Sequence, residues 1–66
     1  MTSTEYVFLN SIKRRVIYFQ KQNFDKYVIL DYIDSGIDKA RQINCCDDVL
    51  RCLFDIQQKV LLGKKI

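Results

Sequence analysis

Residues 24–43 have the sequence FDKYVILDYIDSGIDKARQI, and this stretch decides the fold. Its apolar residues recur every three or four positions, which is the spacing of one buried stripe on an α-helix. The stripe consists of Phe24, Tyr27, Leu30, Ile33, Ile37, Ala40 and Ile43. Gly36 lies inside this stretch and costs a helix about 1 kcal/mol relative to alanine. Because the stripe keeps its phase across Gly36, we predict one helix over Phe24–Ile43, with a break at Ser35-Gly36 as the alternative.

The segments on either side show the same helical spacing. The first runs over Thr4–Gln22, and its stripe is Leu9, Ile12, Val16 and Phe19. The other runs over Cys46–Leu62, and its stripe is Cys46, Val49, Leu53, Ile56 and Val60. Both stripes repeat with alternating spacings of three and four, so we predict a helix in each segment.

Residues that cap helices lie at the predicted boundaries. Ser3 or Thr4 suits the N-cap of the first helix, Asn23 that of the second and Asn44 that of the third. Gly63 suits the end of the third helix, because glycine adopts the left-handed conformation that follows many helices.

Short connections at Asn23 and Asn44 require neighbouring helices to be antiparallel. When the chain folds back at these points, Leu30, Ile33 and Ile37 of the central helix face apolar residues of both other helices. A chain of 66 residues buries roughly 60% of its surface, which is enough for one core. We therefore predict an all-α fold, an antiparallel up-down-up three-helix bundle, with residues 1–66 as a single domain.

The composition argues against an enzyme. The chain has no histidine, so it lacks the usual general base near neutral pH and the partner of a serine or cysteine nucleophile. Its two glycines, Gly36 and Gly63, stand alone and cannot form a phosphate-binding loop. Asp31, Asp34 and Asp38 share a helix face, but one straight helix cannot surround a cation. We therefore expect no catalytic residue, no cofactor and no metal.

The three cysteines, Cys45, Cys46 and Cys52, are odd in number and close together. Secreted scaffolds of this size have even sets spread along the chain, so the pattern favours a reducing compartment, the cytoplasm or a host cytoplasm. We expect Cys46 to pack in the core and the other two at its edge. A redox switch and a zinc site shared between chains are alternatives. No apolar run exceeds four residues, which predicts no membrane span.

The charge is mildly basic: 11 Lys and Arg against 8 Asp and Glu give a net charge of +3. Lys13, Arg14 and Arg15 form the main basic cluster. In the predicted alignment they lie level with Asp31 and Asp34, so we expect salt bridges there. The alternatives are steering of an acidic protein partner and contacts with nucleic-acid phosphates.

More apolar residues are present than one small core can bury. Those predicted to bind a partner are Val28 and Tyr32 on the outer face of the second helix, Leu50, Phe54 and Leu61 on the third, and Tyr6, Ile17 and Tyr18 on the first. For Leu50, Phe54 and Leu61 the alternative is that they pack in the core against the first helix. Exposed aromatic and aliphatic clusters typically mark protein interfaces. The sequence therefore favours a non-enzymatic interaction module that binds a larger protein as a regulator, inhibitor or chaperone-like subunit, or that forms a homodimer. The alternative is a small nucleic-acid-binding regulator that uses Lys13–Arg15.

Overall fold

Three helices account for the regular structure of the computed structural model, which describes all 66 residues, Met1–Ile66. They are α1 (Ser3–Lys21), α2 (Lys26–Gln42) and α3 (Asp47–Leu61). Every helix contacts the other two in a body measuring 31 × 16 × 16 Å. The predicted all-α three-helix bundle is confirmed. None of the helices combines the length and apolar character that crossing a membrane requires.

All three helices end in the same hydrogen-bonded motif. Asn23, Asn44 and Gly63 each have positive φ, at 57°, 56° and 78°. In each case the backbone N–H of the following residue bonds back to a carbonyl five residues earlier, as in Phe24 N to Phe19 O at 3.0 Å. This is the Schellman motif, which glycine and asparagine favour because they tolerate the left-handed conformation. Gly63 therefore ends α3 as predicted.

The two asparagines are not the N-caps that the sequence pattern predicted. Asp25 caps α2, since its Oδ1 accepts the N–H of Tyr27 at 2.7 Å. Cys46 is the N-cap residue of α3 and makes no side-chain capping bond. At α1 the cap is Thr2, one residue before the predicted Ser3 or Thr4.

The core contains eleven buried residues, all apolar. They are Leu9, Ile12, Val16, Ile29, Ile33, Ile37, Ala40, Val49, Leu53, Ile56 and Val60. The predicted stripes of α1 and α3 are confirmed apart from Phe19 and Cys46, which are half-buried.

The predicted stripe of α2 is wrong at its ends. Ile29 is buried, whereas Phe24, Tyr27 and Ile43 are exposed and Leu30 is half-buried. Phe24 and Ile43 lie outside the helix. Tyr27 is rotated well over 100° from Ile29 and Ile33 on the helical wheel, and so faces solvent.

At Gly36 the side chain of Ile12 on α1 lies close to the backbone of α2, and α2 continues through Gly36 without a break. A Cβ atom at this position would lie 2.8 Å from Cδ1 of Ile12. Glycine is therefore placed where the neighbouring helix leaves no room for a side chain unless Ile12 moves.

Candidate interaction surfaces

One line of apolar side chains on α3 lies outside the core. Leu50, Phe54 and Leu61 fall within about 40° of one another around the helix. Phe54 is 44% exposed, Leu61 is also exposed, and Leu50 is half-buried against the core. The guanidinium carbon of Arg41 on α2 lies 6.0 Å from the centre of the Phe54 ring. We call these four residues the α2/α3 face.

The Val28 and Tyr32 pair predicted on the outer face of α2 does not exist. Tyr32 is half-buried, and its ring meets Phe19 of α1 edge-on at 5.4 Å. Tyr32 is only about 60° from Ile29 around the helix, so it turns toward α1. Val28 is 51% exposed. It shares the outer surface of α2 with the exposed Asp31 and Ser35.

The predicted residues of α1 divide between two flanks, as the helical wheel requires. Tyr6 is exposed and Ile17 half-buried on the flank toward α3. Tyr18 is exposed on the other flank, where it lines an open hollow with Ser11, Arg14 and Arg15. The eight predicted partner-binding residues therefore do not form one surface.

The salt bridges predicted between Lys13–Arg15 and the acids of α2 do not form. The chain has a single salt bridge, between Lys59 Nζ and Asp55 Oδ2 at 3.1 Å. The face of α2 that meets α1 contains Tyr32 and Gly36, so Asp31 and Asp34 are turned away from the cluster. Of the three cations, only Arg15 lies over an aromatic ring, with its guanidinium carbon 6.0 Å from the Phe19 ring centre.

A groove between α1 and α3 has a cavity of about 300 Å³, lined in part by Leu9, Lys13, Cys52 and Ile56. Ile66 lies at the same cavity and is half-buried against the core. The segment Lys64–Ile66, which follows α3, is held by one side chain. Gln20 Nε2 donates to the carbonyl of Lys64 at 3.1 Å, and Gln20 Oε1 accepts the N–H of Ile66 at 3.0 Å.

Glu5 joins the N-termini of α1 and α3. Its Oε1 accepts the N–H of Thr2 at 2.9 Å, which completes a capping box, and its Oε2 accepts the N–H of Cys46 at 2.7 Å. The backbone hydrogen bonds from Thr2 and Cys46 lower the pKa of Glu5 to about 2 because they stabilise the carboxylate. The only glutamate of the chain thus satisfies the backbone N–H of the N-cap residue at both α1 and α3.

The three thiols are free, and all are half-buried. The expectation that Cys46 lies in the core is therefore wrong: as the N-cap of α3 it stays at the core's edge with Cys45 and Cys52. Burial raises the pKa of the Cys45 thiol, and the nearby carboxylate of Glu5 adds to this. A raised pKa makes a thiol a poor nucleophile at neutral pH. No three cysteine or carboxylate side chains lie together in a group that could hold a metal ion.

The α2/α3 face and the unpaired cations of α1 are thus two surface features that offer contacts to another molecule. No protein-family model matches the chain, and neither a curated protein nor a solved structure is significantly similar to it.

Proposed function

We propose that this protein is a non-enzymatic interaction module that binds a helix of a larger protein, or of a second copy, through its α2/α3 face. The observation that supports this most directly is the second apolar line on α3, Leu50, Phe54 and Leu61, which the bundle leaves partly open. These three residues, at positions i, i+4 and i+11, lie on one face of α3, and an apolar face of this kind packs against the apolar face of another helix.

The energetics of the α2/α3 face fit a moderate-affinity contact. Aromatic residues dominate interface energies, and covering the exposed part of Phe54 contributes on the order of 2 kcal/mol at about 25 cal/mol per Å². Arg41, already beside the ring, provides a charged rim that favours a carboxylate on the partner. The unpaired Lys13, Arg14 and Arg15 add a positive field that speeds the approach of an acidic partner.

The cellular setting that we propose follows from the thiols. Three free cysteines, none of them disulfide-bonded, suit a reducing compartment, the cytoplasm or a host cytoplasm.

Sedimentation equilibrium of the wild type and of Phe54→Glu tests the proposal. We expect the wild type to form a dimer, or a complex with its isolated partner, at micromolar concentration. We expect Phe54→Glu to weaken that assembly at least tenfold, because it replaces the apolar anchor with a carboxylate that assembly would have to desolvate. Val7→Glu is the matched control, since Val7 is an exposed apolar residue on α1. Equal assembly by the wild type and Phe54→Glu, or equal loss in Val7→Glu, would contradict the proposal.

A second candidate function is binding of nucleic-acid phosphates by Arg14 and Arg15. The observation that favours it is that both guanidinium groups lack a carboxylate partner and line a hollow with Tyr18. Such binding weakens steeply with salt, because each neutralised phosphate releases counterions. Affinity for a duplex that does not change with salt, or with Arg14→Gln/Arg15→Gln, would exclude this function.

A further inference from the structure

Four lysines gather at one end of the bundle. Lys21 ends α1, Lys26 begins α2, and Lys64 and Lys65 follow α3. We call this region the lysine end. The acidic residue nearest to it in the chain, Asp25, is occupied by capping α2 through the N–H of Tyr27.

The lysine end is held together around a cavity. A space of about 250 Å³ is lined by Phe24, Lys26, Lys64 and Lys65, together with Ile29 and Val60 from the end of the core. The two hydrogen bonds of Gln20, to the carbonyl of Lys64 and from the N–H of Ile66, fix the backbone on both sides of Lys65. The lysines following α3 are therefore positioned, and do not belong to a loose segment.

Lys26 does not stabilise the helix end at which it lies. Lys21, Lys64 and Lys65 lie at helix C-termini, where the helix dipole favours cations. Lys26 is the first residue of α2, where the dipole favours anions, and the first turn of α2 contains no acidic residue. The Asp25 carboxylate at the N-cap offsets this in the free helix, and Lys26 makes no salt bridge, so its ammonium group is available to an external anion.

Exposed apolar side chains stand among these lysines. Tyr27 is 70% exposed, Leu62 is 60% exposed, and Phe24 is also exposed. Lys26 Nζ lies 5.5 Å from the centre of the Tyr27 ring. Aromatic and aliphatic residues intermixed with lysine are typical of surfaces that rest on anionic membranes, because the apolar groups enter the interface while the ammonium groups reach the headgroups.

We propose that the lysine end binds the surface of an anionic phospholipid bilayer, with Lys21, Lys26, Lys64 and Lys65 at the headgroups and Tyr27 and Leu62 at the acyl boundary. The cations here are all lysines, which act as point charges, whereas nucleic-acid sites favour the planar fork of arginine. Leu62 is exposed beside these lysines, and its aliphatic side chain suits contact with lipid acyl chains better than stacking on a nucleic-acid base.

Vesicle co-sedimentation tests this assignment. We expect the wild-type protein to bind vesicles of phosphatidylserine and phosphatidylcholine, and not vesicles of phosphatidylcholine alone. Replacing Lys64 and Lys65 together, as Lys64→Gln/Lys65→Gln, should lower the partition coefficient about 25-fold, at about fivefold for each lysine near an anionic surface. Binding should also weaken with added salt, because ions screen exposed charges. Tyr27→Ser/Leu62→Ser should weaken binding without changing its salt dependence.

The matched control is Lys39→Gln/Arg51→Gln, which removes the same charge from residues outside the lysine end. We expect it to keep most of the wild-type binding, and far-ultraviolet circular dichroism should show that all variants remain helical. Equal loss of binding in the control and in Lys64→Gln/Lys65→Gln would overturn the assignment, since it would show attraction by net charge alone. Absence of vesicle binding, or binding to a single-stranded oligonucleotide that outcompetes the vesicles, would overturn it as well.

Discussion

Glu5 shows how one side chain couples two helix ends, and its ionisation makes a pH prediction. The pKa of its carboxyl falls from 4.5 to about 2 on folding, because N–H groups of Thr2 and Cys46 bond to the carboxylate. A lowered folded-state pKa contributes stability that is fully present above 4.5 and is lost as the pH falls toward 2. Glu5→Gln should therefore be less stable than the wild type at neutral pH, and the difference should shrink through this acid range.

Urea unfolding of both proteins across that pH range measures the effect. Asp31→Asn serves as the control, because Asp31 is exposed and makes no salt bridge. We expect its stability to follow that of the wild type at every pH. If the free energies of unfolding of Glu5→Gln and the wild type change in parallel with pH, the carboxylate does not join the two helix ends.

At the scale of elements, the contact between α1 and α2 depends on Gly36 and Ile12. Gly36→Ala gains about 1 kcal/mol of helix propensity. In the wild type the new Cβ would lie 2.8 Å from Ile12 Cδ1, so the Ile12 side chain must shift and part of this gain is lost. Ile12→Val removes that atom at a cost of about 0.5–1.5 kcal/mol. We expect Gly36→Ala to stabilise the Ile12→Val protein by more than it stabilises the wild type.

A double-mutant cycle of the four proteins, followed by urea unfolding, gives the coupling energy directly. Additive effects would indicate that Ile12 adapts freely and that α1 does not need the space at Gly36.

The same elements show how far the sequence predicts the structure. The stripes of α1 and α3 are predictable because Ile12 in α1 and Ile56 in α3 each stand between polar residues and so fix the phase of the stripe. In α2 the run Tyr27–Leu30 is apolar throughout, so the spacing fits more than one helix face. Packing against the other helices selects Ile29 and leaves Tyr27 in solvent.

The predicted N-caps of α2 and α3 are wrong because the local sequence again permits more than one structure. Asparagine is suited both to start a helix and to end one, and at positions 23 and 44 the Schellman motif prevails. The bonds from Cys46 to Glu5 and from Ile66 to Gln20 join residues 41 and 46 positions apart. No local pattern predicts such contacts, so the link between α1 and α3 and the order of Lys64–Ile66 emerge only from the structure.

For the whole molecule, stability depends on a core of eleven side chains, and Ile33 lies at its centre with no exposed surface. A domain of this size has a free energy of unfolding of roughly 3–10 kcal/mol. Ile33→Ala leaves a cavity that neighbouring side chains fill only in part, and we expect it to cost about 2–5 kcal/mol. The variant should therefore be largely unfolded on warming, under conditions in which the wild type stays helical.

Urea unfolding followed by circular dichroism at the helical band measures the loss. Val28→Ala is the control: Val28 lies on the same helix but is 51% exposed, so its truncation should change the free energy by less than 1 kcal/mol, within the usual range for surface sites. Similar losses in the two variants would mean that α2 does not present Ile33 to both neighbours. The observed burial instead requires the two variants to differ in stability, because only Ile33 belongs to the buried core.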